Sequence, residues 1–332
     1  MRFLERERAV AAELLPGLDE GLRAVSLTEL EGADGPGLGL FRDSGGPGLL
    51  VPAAHRGRGA TALEALRVQR ALGSRAPWLA ATSSLHHFST AVLLAEASAD
   101  RDPEWMLVEG VAAGNRLVAF GFAEERPGAG ILAPMTTATM EDDGLRVSGV
   151  TRTYGLAGSM DLLAIGVMMP QMDGKPGEEP AVALVPAESE GMSVDGAGTD
   201  GERVTLDDVL VAPELVVTAS SSPNGRPDTL AAGFVWFRLL ATVGCLGAAS
   251  TLVERVLRDD RVSESERVGL LVEAEGAMSA AEGVARRIDD DGPDESTLAH
   301  ALYVRYSVQD TLSRIVPRTI ELLGDRDTTT SD

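Results

Sequence analysis

The pattern of secondary-structure signals changes twice along this chain, and that change limits the folds it can adopt. Before residue 117, leucine and alanine recur at helical spacing between loops. Residues 117–217 instead carry short runs rich in β-branched and apolar residues, separated by turns. From Asp228 onward the chain returns to long helical periods. This order predicts a β unit placed in the chain between two helical ones.

Composition narrows the class of protein. The chain has 332 residues, 44% of them apolar, which is enough for a large core and two or three packed units. Its net charge of −22 argues against nucleic acid, because a phosphate-binding surface needs clustered cations. The single cysteine, Cys245, excludes an internal disulfide and suits a reducing compartment. The first residues are charged and no long apolar run follows, so we expect a cytoplasmic protein that does not span a membrane.

The same signals predict three domains. We expect an N-terminal α-helical domain at 1–116, a middle β-domain at 117–218, a C-terminal α-helical domain at 219–325 and a disordered tail at 326–332. Within the first domain, Thr61 and Glu64 have the spacing of a capping box, which predicts that a helix begins there.

Several short motifs follow one another along the chain. Residues 122–130 end in Pro-Gly-Ala-Gly, which must form a tight loop because proline lacks an amide donor and glycine admits positive φ. A Thr-Thr-Ala strand comes next, then a Gly-x-x-x-Thr-x-Gly segment at 149–155, and an Asp-Val-x-Val-x-Pro exit strand at 208–213. Together with the loop at 49–59, these motifs resemble the acyl-CoA dehydrogenase superfamily over most of the chain. The resemblance implies an α+β fold with an N-terminal helical domain, a middle β-barrel or sandwich domain and a C-terminal helical bundle.

The resemblance also implies a flavin, FAD or FMN, and marks the positions beside it. Those positions are Phe122, Glu125, Gly130, Thr153, Gly155 and Arg261. Glu125 and Gly155 stand where the family carries threonine, so two side-chain donors to the flavin are replaced. Arg261 corresponds to an arginine that holds the flavin's pyrophosphate across a subunit interface, although its neighbours here are acidic. The histidines lack partners at metal-ligand spacing, so no metal is expected.

The catalytic residues of the family are altered as well. Phe237 occupies one position of the carboxylate that removes a proton in dehydrogenation, and the loop that carries it in other members is missing after Glu321. His87 corresponds to a histidine that lies near the flavin in the monooxygenase branch of the superfamily. The alternative for His87 is a core histidine with one ring nitrogen bonded to the backbone. Hydroxylation or another flavin reaction is therefore expected rather than simple desaturation.

Two functions from different classes remain open. The first is an FAD-dependent oxidoreductase acting on an acyl thioester or another small or carrier-bound biosynthetic intermediate. The second is a catalytically inactive subunit that pairs with an active homologue. Either function fits a homo-oligomer or a hetero-oligomer, because the small residues Gly244 and Gly247 would let C-terminal helices of two subunits approach closely.

Overall fold

The computed structural model describes residues 3–32, 35–97, 102–122, 136–170, 178–196, 201–218 and 229–324. The helices are α1 (Glu5–Leu14), α2 (Leu18–Arg23), α3 (Leu27–Leu30), α4 (Gly37–Asp43), α5 (Ala62–Gly73), α6 (Pro77–Ala97), α7 (Asp102–Ala113), α8 (Thr229–Leu257), α9 (Glu264–Asp291) and α10 (Glu295–Gly324). The strands are β1 (Val118–Gly121), β2 (Thr136–Glu141), β3 (Gly144–Thr153), β4 (Leu162–Pro170), β5 (Glu178–Pro186), β6 (Met192–Asp195), β7 (Glu202–Val211) and β8 (Val216–Thr218). All eight strands fall within the predicted β segment, so the predicted fold class is confirmed.

The chain divides into two compact units. The first contains Met1–Leu50, Arg58–Ser84 and Phe234–Asp332, and the second contains Val51–Gly57 and Leu85–Gly233. Two boundaries between the units fall inside long helices: Ser84/Leu85 lies within α6, and Gly233/Phe234 lies within α8. The first unit therefore joins parts of both helical segments predicted as separate domains, while residues 85–116 fall in the second unit. The three-domain description stays a prediction.

The first unit is a helical assembly around α8. The apolar face of α8, including Leu239, Val243 and Leu246, packs with α5 and with small residues of α9 and α10 such as Ala281 and Ala301. Its C-terminal turns form a second cluster with α9 and α10. This burial explains why α8 is as apolar as a membrane-spanning helix. Residues 230–257 are long and apolar enough to cross a membrane, with a mean hydropathy of 1.7, but 56% of the most apolar stretch is buried, as in a core helix.

Close backbone approach within this unit accounts for the small residues of α8. A Cβ on Gly73 would lie 2.2 Å from the Gly244 carbonyl oxygen, and one on Gly247 would lie 2.4 Å from the Arg70 carbonyl oxygen. Gly244 and Gly247 thus let α8 pack against α5 of the same chain. Their expected use between subunits stays a prediction, and sequence alone does not tell which helix fills the space beside a small residue.

The start of α5 is fixed from two directions. The Thr61–Glu64 capping box is present, with the Thr61 side chain accepting from the Glu64 amide at 3.2 Å and Glu64 accepting from the Thr61 amide at 2.9 Å. In addition, the Asp289 carboxylate of α9 accepts from the Ala62 and Leu63 amides at 2.6 and 3.2 Å. The predicted cap is confirmed, and the distant carboxylate adds a tertiary contact to it.

The second unit is built on two four-stranded sheets. One sheet has the order β1-β4-β5-β8, with β1 parallel to β4 and the other pairs antiparallel. The other has the order β2-β3-β7-β6 and is antiparallel throughout. The sheets meet where Phe122 bridges to Arg152 and where the Thr136 hydroxyl donates to the Gly166 carbonyl at 3.2 Å. Their inward residues, such as Val147, Leu163 and Val185, are buried and form the core.

Candidate active site

Three of the predicted flavin positions lie close together where β3 ends. Strand β3 runs to Thr153, and Gly155 follows with a φ of 72°, in the left-handed region that favours glycine. Phe122, one residue beyond β1, exchanges two backbone hydrogen bonds with Arg152 at 2.8 and 3.0 Å. The Thr151 hydroxyl also donates to the Phe122 carbonyl at 2.8 Å. The fold therefore brings Phe122, Thr153 and Gly155 to one strand end.

A carboxylate that the motifs did not single out holds two of these positions. Glu202 begins β7 and lies directly opposite Thr153 in the antiparallel register. Its Oε2 accepts from the Thr153 hydroxyl at 3.1 Å and from the Gly155 amide at 2.9 Å. Thr153 and Gly155 were expected to lie beside a flavin, and here both donate to a carboxylate of the same unit. Only the pairing of β3 with β7 places Glu202 here, and no short motif signals a partner 49 residues away.

Aromatic rings lead from the core of the second unit to this strand end. Phe88 of α6 meets Phe120 edge to face, with ring centroids 4.8 Å apart. Phe122 lies 5.2 Å from Phe120, and Tyr154 lies 5.9 Å from Phe122. The three phenylalanines are buried, whereas Tyr154 is 39% exposed. The cluster thus presents one aromatic ring to its surroundings beside the Glu202 carboxylate and anchors that ring in the core.

Two adjacent buried histidines of α6 differ in their environment. His86 Nδ1 accepts from the Val118 amide at 3.0 Å, so Nε2 carries the ring proton, 3.3 Å from the Thr90 hydroxyl oxygen. His86 is therefore the histidine that fits the core-packing interpretation. His87 is fully buried, with its ring 5.2 Å from that of His86.

The environment of His87 narrows its predicted role. Burial, and secondarily the neighbouring His86, lower the pKa of His87 well below its ordinary value. The ring is consequently neutral at neutral pH. A neutral imidazole donates a hydrogen bond from one nitrogen and accepts one at the other, but it has no positive charge with which to stabilise an anion. A catalytic role for His87 stays a prediction, restricted to what a neutral ring can do.

Arg261 lies apart from the strand-end residues, in the first unit between α8 and α9. Its Nε and Nη2 donate to the two Asp259 carboxylate oxygens at 3.1 and 3.0 Å. The hydrogen bond that Arg261 donates to Asp259 raises the pKa of the exposed Arg261 guanidinium. This pairing leaves less charge available for a phosphate than the resemblance implied. Glu125 and Gly130, the other two predicted flavin positions, lie outside the described residues.

Phe237, at one expected base position, and Glu321, the acid that precedes the missing base loop, are both described. Phe237 lies on α8, with its ring 5.6 Å from the Arg238 guanidinium carbon. Glu321 lies on the last turns of α10, exposed and paired with Arg318 at 3.0 Å. Neither offers a buried carboxylate. Among the described residues, no three His, Cys, Asp or Glu side chains come together in the manner of a metal site.

No family model matches the chain. Isobutylamine N-hydroxylase of Streptomyces viridifaciens is 41% identical over 337 residues, covering 98% of this chain and 88% of that protein. The chain belongs to the acyl-CoA dehydrogenase superfamily, in the same family as this N-hydroxylase.

Solved structures of the superfamily share the fold. Dibenzothiophene monooxygenase TdsC from Paenibacillus sp. A11-2, solved with FMN bound, is 17% identical, with a TM-score of 0.73 over 99% of this chain and 89% of that one. Methanesulfinate monooxygenase MsuC from Pseudomonas fluorescens is 20% identical, with a TM-score of 0.69 over 99% and 88%. The prolyl acyl carrier protein oxidase AnaB is 14% identical, with a TM-score of 0.74 over 97% and 89%. The expected superfamily and its fold are thus confirmed.

The second unit has features that suit the ring of a flavin, the cofactor of the superfamily. Tyr154 offers a flat, partly exposed ring backed by Phe122, the kind of surface on which an isoalloxazine stacks. The polar donors of Thr153 and Gly155 are held by Glu202, so the fit rests on aromatic contact and not on these two groups. Arg261, because of Asp259, is a weak candidate for the phosphate.

Proposed function

We propose that this chain is a flavin-dependent N-hydroxylase that transfers one oxygen atom from dioxygen to the nitrogen of a small primary amine. The observation that carries the proposal is the 41% identity to isobutylamine N-hydroxylase over 98% of the chain. A small amine replaces the acyl thioester as the favoured substrate class. Identity that extends over nearly the whole chain also favours an active enzyme over an inactive partner subunit.

The residues of the two base positions support oxygen transfer over desaturation. Removing a proton from carbon next to a thioester needs a buried carboxylate at the reacting carbon. Phe237 has no acidic group, and the Glu321 carboxylate is exposed and paired with Arg318. Oxygen transfer to nitrogen needs no carbon acid, so the loss of this base leaves N-hydroxylation possible.

The proposed reaction balances without a further reactant. Amine, dioxygen and reduced flavin give hydroxylamine, water and oxidised flavin, so the flavin supplies the two electrons that reduce the second oxygen atom to water. Tyr154 and Phe122 would hold the flavin ring. The amine nitrogen becomes strongly acidic as its bond to oxygen forms, and a neutral base of low pKa then suffices to take its proton. His87, buried and neutral, is the residue that we propose for this step.

A coupled assay tests the proposed function. The purified chain is supplied with FMN or FAD, a flavin reductase, NADH and isobutylamine, under ¹⁸O₂. The proposal expects a hydroxylamine that carries one ¹⁸O atom and is absent when the chain or the flavin is omitted. Turnover of NADH with only hydrogen peroxide formed, across a series of small primary amines, would contradict it.

We also propose a location and an assembly state for the protein. A cytoplasmic location is proposed because a single cysteine suits a reducing compartment. Assembly into a homo-oligomer, or with a homologue, rests on membership of the superfamily. Light scattering at micromolar concentration would test the assembly, and a monomer would contradict it.

A further inference from the structure

We propose that the Glu202 carboxylate binds the nitrogen of the amine substrate and selects amines over neutral or acidic molecules of the same shape. The inference rests on the proposed function, because it names the residue that recognises the substrate in that reaction. It arises from the hydrogen bonding of one carboxylate at the end of β3.

The Glu202 carboxylate is anchored through one oxygen only. Both the Thr153 hydroxyl and the Gly155 amide donate to Oε2, at 3.1 and 2.9 Å. Among the described residues, no donor reaches Oε1 and no arginine forms an ion pair with Glu202. A carboxylate accepts through both oxygens, with about four lone-pair directions. The two donors fix the orientation of the group and leave Oε1 able to accept from a ligand.

An aromatic ring lies beside this carboxylate. The backbone passes close to the Tyr154 ring at Gly201, the residue before Glu202, where a Cβ would lie 2.9 Å from a ring carbon. Gly201 has a φ of 83°, which again favours glycine. Tyr154 also directly precedes Gly155, whose amide binds the carboxylate. The ring and the carboxylate are therefore held next to each other from two strands.

This pairing matches an alkylammonium ion. Such an ion has three N–H donors and a positive charge, and a carboxylate provides the acceptor and the opposite charge. The neighbouring Tyr154 ring is the surface proposed for the flavin, so the carboxylate lies beside the place where the amine would be oxidised. An alcohol brings no charge, and a carboxylic acid brings a charge of the wrong sign. The site thus discriminates by charge when the amine binds. The bound ammonium must release one proton to solvent before its lone pair can take up oxygen, and the neutral amine still donates N–H to the carboxylate.

The alternative is that Glu202 only closes the end of the β3–β7 ladder. The two roles separate in the full-length protein loaded with FMN, with isobutylamine as the probe. Binding of isobutylamine is measured by calorimetry, FMN affinity by quenching of flavin fluorescence, and stability by thermal unfolding, for wild type, Glu202→Gln and Glu202→Asp. Glu214→Gln serves as the control, since Glu214 is an exposed glutamate just beyond the opposite end of the same strand.

We expect Glu202→Gln to weaken isobutylamine binding about tenfold or more, as for a lost charge-assisted hydrogen bond. FMN affinity should change less than about twofold, Glu202→Asp should retain part of the amine affinity, and Glu214→Gln should behave as wild type. Unchanged amine binding in Glu202→Gln would overturn the inference but leave N-hydroxylation standing. A wild-type protein that binds FMN but no small primary amine would overturn both. If Glu202→Gln unfolds, Glu202→Asp provides the test, because its carboxylate is one methylene shorter, and undiminished amine binding there would also count against the site.

Discussion

The two compact units bury polar groups in opposite ways. In the first unit, the fully buried Arg70 guanidinium binds Glu7 at 3.1 Å, Glu275 at 2.8 Å and the Ser250 hydroxyl at 3.2 Å. Charged residues of this kind, Arg8 and Glu254 among them, line a cavity of about 1060 Å³, and there too acid and base pair with each other. In the second unit, His87 is buried as a neutral ring, and the half-buried Glu202 carboxylate is held by two neutral donors, the Thr153 hydroxyl and the Gly155 amide. The difference teaches that a cavity lined by paired charges can be a structural feature, while the proposed reactive site lies among neutral donors and aromatic rings.

The largest effect is expected where the first unit's charges are broken. Arg70→Leu would take from the buried Glu7 carboxylate its closer cationic partner and leave only Arg6 at 3.5 Å, and the free energy of unfolding should fall by about 3 kcal/mol. Chemical denaturation measures this loss. Adding Glu7→Gln to Arg70→Leu should recover part of it, because the stranded charge is then removed. Amine hydroxylation per folded molecule should stay unchanged, and a specific loss of activity would break the contrast between the units.

Close packing of α5 on α8 offers a second test of the first unit. Gly247→Ala would place a methyl group 2.4 Å from the Arg70 carbonyl oxygen, so the two helices must separate. We expect a loss of about 3 kcal/mol in unfolding free energy. Gly276→Ala is the matched control, because that helical glycine has no atom within 4 Å of an added Cβ. The control should be neutral or slightly stabilising, and equal losses in both variants would contradict the packing argument.

Replacing His87 in the second unit should reduce stability less than the two first-unit substitutions do, but it should reduce turnover more. His87→Asn should cost about 1–3 kcal/mol at neutral pH, while turnover per folded molecule falls by a factor of roughly 10² or more. A variant that is destabilised but fully active would remove His87 from the proposed mechanism.

The pH dependence of stability gives His87 an independent signature. Its folded-state pKa lies below the ordinary value of about 6.5, so the unfolded chain takes up a proton first as the pH falls. The contribution to stability is complete above about pH 6.5 and is lost as the pH drops below it. Denaturation between pH 5 and pH 7 should therefore show a flatter slope for His87→Asn than for wild type. Equal slopes would mean that the burial of His87 does not control its titration.

The features that could be predicted from the sequence are those that depend on residues close together in the chain. The helical, β, helical order follows from periodicity, and the α5 cap follows from the four residues Thr61 to Glu64. The absence of a carboxylate at Phe237 is also a prediction that a local motif supplies. The missing information was tertiary. The pairing of Glu202 with Thr153 depends on strand register, and the contact of Gly247 with Arg70 depends on which helix packs beside α8.

Hydrogen–deuterium exchange tests most directly the claim that ligand chemistry belongs to the second unit. The full chain is compared alone, with FMN, and with FMN and isobutylamine. The account predicts that FMN protects peptides covering 118–122 and 151–155, and that the amine adds protection around 201–204. Peptides that line the cavity of the first unit, at residues 3–8 and 254–258, should exchange at the same rate in all three samples. Protection confined to the cavity-lining peptides, with the strand end of the second unit unchanged, would contradict the account.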